Sequence, residues 1–72
     1  MFNVYVEPLP KGRWGPIEGY VLEFVDGTKL SSDVFPSEHL AVNEIRLMGH
    51  NPMLANVRIT DKGTSDHWRR PE

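Results

Sequence analysis

The chain opens on a strict alternation in which Phe2, Val4 and Val6 interleave with Asn3, Tyr5 and Glu7. Period two is the spacing of a strand that buries one face, so "FNVYVE" predicts a first β-strand. In "PLPKGRWGP", three prolines and two glycines over residues 8–16 interrupt any ladder and predict a loop. Alternation returns in "IEGYVLEFV", where Tyr20, Leu22 and Phe24 oppose Val21 and Glu23, and "DGT" supplies the turn of a hairpin onto "KLSSDVF". The period then lengthens. Ser37 is a suitable N-cap and Gly49 a suitable stop, which predicts a helix over residues 38–48. Ala41, Ile45 and Met48 form its sheet-facing stripe, with His39, Asn43 and Arg46 on the opposite side. "MLANVRIT" reads as the last strand, with Ala55, Val57 and Ile59 on one face and Asn56, Arg58 and Thr60 on the other.

The predicted class is α+β: a small antiparallel sheet in the order β-β-β-α-β, with one helix packed on one face. Tyr20, Leu22, Phe24, Ala41, Ile45 and Val57 are the expected core. The second face, carrying Asn3, Tyr5, Val21, Glu23 and Arg58, is expected to stay open to water, as antiparallel sheets allow. Residues 1–62 make one domain and 63–72 a C-terminal tail. Leu40 and Leu47 border the helix stripe and await a cover, either a loop, the tail or a second subunit. They are the candidate oligomer contact.

Composition narrows the partners. At 72 residues the chain supports one thin core, and it has no cysteine, which excludes disulfides and thiolate metal sites and favours a reducing compartment. There is no signal-peptide pattern and no run of about 20 apolar residues, so the expectation is a cytoplasmic protein with no membrane partner. A formal charge of −2 gives no general attraction to nucleic acid.

Catalytic chemistry finds little footing. His39, His50 and His67, with Asp33, Asp61 and Asp66, fall in no paired-ligand spacing for a metal. No stretch has the form of a nucleophile elbow, and "KGRWG" lacks the Walker spacing and following helix of a phosphate loop. The expectation is a protein that is not an enzyme, with no catalytic residue, cofactor or metal.

Two clusters stand out instead. "KGRWG" and "DHWRR" each set a tryptophan beside arginine in a segment read as irregular. Trp and Arg dominate binding hot spots, and Trp also stacks on bases; alternatively the two rings patch a thin core under arginine stems. The candidate binding surface is Tyr5, Arg13, Trp14, Arg58, His67, Trp68, Arg69 and Arg70. The leading expectation is a non-catalytic interaction module that contacts another protein or a second copy of itself. The alternative is nucleic-acid binding, with Lys11, Arg13, Arg58, Lys62, Arg69 and Arg70 on phosphates while Tyr5, Trp14 or Trp68 stack. Residues 58–72 hold four basic against three acidic side chains, which weakens a phosphate track. Trp68 is expected to fold back on the body, beside Trp14 or over the Leu40/Leu47 border.

The stretches "PKGRWGPIEGYVLEF" and "GHNPMLANVRITDKGTSDHWR" resemble a family of small bacterial proteins of β-β-β-α-β layout, a domain of unknown function with no established activity. The resemblance spans most of the chain and implies the fold; it assigns no role to any residue. The β-β-β-α order is also similar in layout to the small sheet domains by which some integrases grip DNA.

Overall fold

The computed structural model describes residues 2–71. Its elements are β1 (Asn3–Leu9), β2 (Gly19–Glu23), α1 (Glu38–Leu47), β3 (Asn51–Ala55), a 3-10 turn (Ser65–His67) and β4 (Trp68–Arg69). One helix and one four-stranded sheet make it α+β, with strand order β2-β1-β3-β4. The sheet is mixed rather than antiparallel. β1 runs antiparallel to β2 and parallel to β3, and β4 runs antiparallel to β3. A parallel pair needs a long crossover, which the segment through α1 supplies.

The helix forms for the reasons its sequence gives. Ser37 Oγ accepts from Leu40 N, while Glu38 and Arg46 lie at the ends where the helix dipole favours their charges. Gly49, at φ +81°, turns the chain out and donates to Arg46 O at 3.0 Å. Ala41, Val42 and Ile45 are the buried stripe. Met48 is half exposed instead, because the helix ends at Leu47 and Met48 serves as its C-cap. The core joins that stripe to Val4, Val6, Leu22 and Leu54, with Tyr20, Phe24, Leu30 and Phe35 packed at its margin.

The predicted third strand does not form. The turn is there, with Asp26 Oδ1 accepting from Thr28 N and Gly27 at φ +89°. Beyond it "KLSSDVF" touches β2 only at two isolated bridges, Glu23↔Lys29 and Tyr20↔Phe35. Between them Ser31 Oγ accepts from Asp33 N and donates to Asp33 Oδ2, a local bend that competes with a ladder. Val34 returns so close to β2 that a Cβ at Gly19 would meet its Cγ1 at 2.6 Å.

The last long strand is also displaced. β3 begins at Asn51, whose N–H donates to Phe2 O, and ends at Ala55, so its inward residues are Pro52 and Leu54. The expected phase through Ala55, Val57 and Ile59 is overturned: Val57 is 38% exposed. Pro52 sits inside a strand because its missing N–H points away from β1, beyond the end of the two-residue β4. β4 itself falls in the segment read as a tail, which makes residues 68–69 part of the sheet.

Ile45→Ala or Leu22→Ala should each cost about 2–5 kcal/mol in urea unfolding, a large share of the roughly 4–11 kcal/mol expected for this length. Val57→Ala should cost less than about 0.5 kcal/mol, as an exposed position does. A Val57 cost equal to that of Ile45 would restore the displaced strand phase.

Candidate functional site

The far face of the sheet carries Tyr5 and Glu7 from β1, Val21 and Glu23 from β2, and Trp68 from β4, since the register sets Tyr5 opposite Glu23, Glu7 opposite Val21 and Trp68 opposite Ala55. The expected open face is closed. Glu7 is 3% and Glu23 4% exposed, and Val21 is as well covered. What covers them is the segment after β3, folded back across the strands.

Lys62 is its anchor. Its Nζ lies 2.6 Å from Glu7 Oε2 and 2.7 Å from Glu23 Oε1, and 5.9 Å above the Tyr5 ring. Lys11, from the loop after β1, donates to both Glu23 oxygens at 3.0 Å, and Thr60 Oγ1 donates to Glu7 Oε1. Every carboxylate oxygen of the pair is therefore engaged. Burial pushes the Glu23 carboxyl up, but the hydrogen bonds from Lys62 and Lys11 outweigh it and hold it below the ordinary glutamate value. For Lys62 burial pushes the ammonium down, and its bonds to Glu23 and Glu7 raise it above the ordinary lysine value. Lys62 is thus held as a cation, which suits a charge lock and not a nucleophile.

Trp68 completes the cover. It is 7% exposed, stands edge-on to Tyr5 with centroids 4.7 Å apart, and donates from Nε1 to Asp61 O at 3.0 Å. Asp61 in turn holds the turn with Oδ1 accepting from Gly63 N and Oδ2 from Thr64 Oγ1, which together depress its pKa. Trp68 packs here, on the face opposite the helix, and neither beside Trp14 nor over Leu40 and Leu47, while Arg69 and Pro71 meet Glu38 and Arg46 on the helix side.

The other tryptophan has the opposite fate. Trp14 is 79% exposed on the loop between β1 and β2. The loop is nevertheless fixed at its base: Glu18 N donates to Leu9 O at 2.8 Å, Lys11 reaches Glu23, and Arg58 Nε donates to Gly15 O at 2.9 Å. Arg13 beside it is exposed.

The candidate surface therefore divides. Tyr5 and Trp68 are buried and cannot stack on a ligand; Arg13, Trp14, Arg69 and Arg70 are exposed. Arg69 is occupied locally, with Nη1 on Ala55 O and Asn56 Oδ1 and Nη2 3.8 Å from Glu38. His67 Nδ1 accepts from Asp61 N. The other histidines are scattered: His39 is exposed on the helix, and His50 Nδ1 accepts from Phe2 N while its ring meets Phe24 edge-on. Leu47 and Leu40 stay exposed, uncovered by the described chain. The sequence offered Lys62 only as a phosphate contact and Glu7 only as a polar strand position, and their pairing was missed. The runs "VYVE" and "YVLE", apolar on both parities, were the available signal that both faces are covered.

The lock sets the pH response. Stabilisation from Glu23 is present above its unfolded pKa of about 4.3 and is lost as pH falls through the lower folded value. Stabilisation from Lys62 is present below its unfolded pKa of about 10.4 and is lost as pH rises through the higher folded value. Lys62→Met should cost about 3–5 kcal/mol at pH 7, because two buried carboxylates then face each other. Its stability should rise as pH is lowered from 7 towards 5, opposite to the wild type near pH 4, and Glu23→Gln in the same chain should recover part of the loss. A pH-independent Lys62→Met variant of wild-type stability in calorimetry would refute the lock.

Comparison with protein-family models, with curated proteins and with solved structures gives no match for this chain.

Proposed function

We propose that the protein is a non-catalytic interaction module that presents Trp14 to a protein partner. The observation that carries this reading is a tryptophan four-fifths exposed on a loop whose base is pinned by Arg58, Lys11 and Glu18. An exposed indole does nothing for the isolated fold, and a braced loop loses less freedom on binding than a floppy one. Aromatic anchors of this kind fill partner pockets with little side-chain entropy to lose. Arg13 adds a donor next to it. Leu40 and Leu47 on α1 offer a second, apolar contact, and a second copy of the chain is the simplest occupant of that one.

Nucleic acid fits these residues less well. Of the six basic side chains that would track phosphates, Lys62 and Lys11 are committed to Glu7 and Glu23. Two of the three aromatic rings that would stack are buried. Among the described residues no helix is long and apolar enough to cross a membrane, and with no cysteine in the chain we place the protein in the cytoplasm.

Trp14→Ala should leave stability within about 0.5 kcal/mol of wild type, as a surface change does. On matched columns exposed to one cell extract, the wild type should retain proteins that the variant loses. Equal retention by both, with the variant folded, would reject Trp14 as the contact. Fluorescent oligonucleotides should bind no tighter than about 1 μM at physiological salt, the non-specific range. Tighter binding with a steep salt slope would replace the protein partner with a nucleic acid. In sedimentation, Leu47→Glu should abolish any self-association the wild type displays.

A further inference from the structure

Two phenyl rings meet at the end of the β1–β2 pair that lies farthest from the Trp14 loop. Phe2 precedes β1 and Phe24 follows β2, whereas residues 10–18 join the opposite ends of the same two strands. Phe2 is 65% exposed and Val25 69%. Apolar residues exposed singly are ordinary, but several together mark a contact surface. With Phe24, Asp26 and Thr28 they line a cleft of about 320 Å³, which is enough for a small ligand or a head group.

The walls of the cleft are held, and their chemistry is specific. Phe2 donates from its backbone N to His50 Nδ1 at 3.2 Å and accepts at its O from Asn51 N at 2.9 Å, so an exposed ring rides on a fixed backbone. Phe24 is tied through its backbone to Thr28 and Gly27 and packs at the core margin. The two rings stand at 86° to each other with centroids 6.1 Å apart. In a perpendicular pair the ring that points its edge keeps both its own faces clear of the other, and the face of a phenyl ring is its negative side. Asp26 adds a full charge. Its Oδ1 accepts from Thr28 Oγ1 and Thr28 N, which holds the carboxyl below the ordinary aspartate value, and its Oδ2 has no partner among the described residues. Asp26 is the one charged residue of the five that line the cleft.

Negative ring faces beside a fixed carboxylate attract a cation, and the lining selects which kind. A primary ammonium brings three N–H donors that all need acceptors, which two phenyl rings and a valine do not supply. A quaternary ammonium brings none. We propose that the cleft between Phe2, Phe24 and Asp26 binds a trimethylammonium group, its methyl groups on the phenyl rings and its charge towards Asp26. The site goes beyond the Trp14 contact and lies at the other end of the β1–β2 pair. The trimethylammonium belongs either to a small choline-type cation or to a methylated lysine, the same chemistry from two sources.

Amide and aromatic chemical shifts of the full chain should be followed at pH 7 as four compounds are added separately: choline, its neutral isostere 3,3-dimethylbutan-1-ol, a short peptide carrying trimethyllysine, and the same peptide with plain lysine. Choline or the trimethyllysine peptide should saturate changes at Phe2, Phe24 and residues 25–28. Whichever binds more tightly assigns the source. The neutral alcohol and the plain-lysine peptide should each bind at least about fivefold more weakly than the better of the two trimethylammonium ligands, the scale of a partly exposed cation–π contact. Phe2→Leu keeps an apolar side chain without a ring, and should weaken that ligand by at least about fivefold while leaving the alcohol unchanged. Asp26→Asn retains the Oδ1 acceptor of the turn and should likewise weaken the cation and spare the alcohol. If neither variant folds, the four compounds on the wild type still decide. An alcohol or plain-lysine peptide that binds as tightly as the better cation, undiminished cation binding by folded Phe2→Leu, or no saturable shift would overturn the proposal. Failure here leaves the Trp14 reading standing, since the two sites share no residue.

Discussion

Lys62 holds one positive charge between two carboxylates that the sheet has taken out of water, and the far side of the fold is arranged around it. Glu7 and Glu23 sit diagonally on neighbouring strands, two buried carboxyl groups whose like charges a cation between them offsets. With Lys62 in place, the segment after β3 must cross the sheet to deliver it. That crossing puts Asp61 where its carbonyl accepts from the Trp68 indole, and Trp68 where it covers Tyr5. A 72-residue chain has too little apolar surface for two full cores. Here the helix side is closed by Val, Leu, Ile and Ala, and the far side by a few charges, one indole and one phenol.

Such a network is poorly suited to stability alone, since well-packed apolar side chains of similar volume are often as stable as a buried ion pair. Its geometric effect is more specific. Glu23 accepts from Lys11 as well as Lys62, so the β1–β2 loop and the post-β3 segment are tied to one carboxylate. Arg58, from the same segment, then grips that loop a second time at Gly15. The orientation of the Trp14 loop is thereby coupled to the closure of the far face, although Trp14 itself touches neither carboxylate.

Much of the framework is legible in the chain because it rests on local rules. Ser37 and Gly49 bound a helix wherever they flank an apolar stripe, and the Val4/Val6 parity places β1 without reference to anything distant. The errors lie where a distant partner decides. "KLSSDVF" has the composition of a hairpin strand, but Ser31 and Asp33 satisfy each other and leave only its ends on β2. β3 starts early because Asn51 N donates to Phe2 O, forty-nine positions upstream, and the parallel register that sets Asn51 beside Asn3 shifts the inward parity onto Pro52 and Leu54. Lys62 reads as an ordinary surface lysine. Its burial depends on Glu7 and Glu23, whose own burial depends on Lys62, and no single window of sequence contains that loop of causes.

The two tryptophans show how far residue type is subordinate to placement. Both stand next to arginine in segments that composition marks as irregular. Trp68 falls on a strand position opposite Ala55, and strand parity turns it towards Tyr5 while sending Arg69 to the helix side, where it meets Glu38. Trp14 lies in a loop whose turns are set by Gly12 and Gly15, both at positive φ, and whose inward anchors are backbone and lysine atoms rather than the indole. One ring is thus consumed by the fold, while the other is held outside it by contacts it does not make. The indole of Trp14 stands in water on a loop braced from a buried charge lock, its position set by contacts of Lys11 and Gly15 rather than by its own.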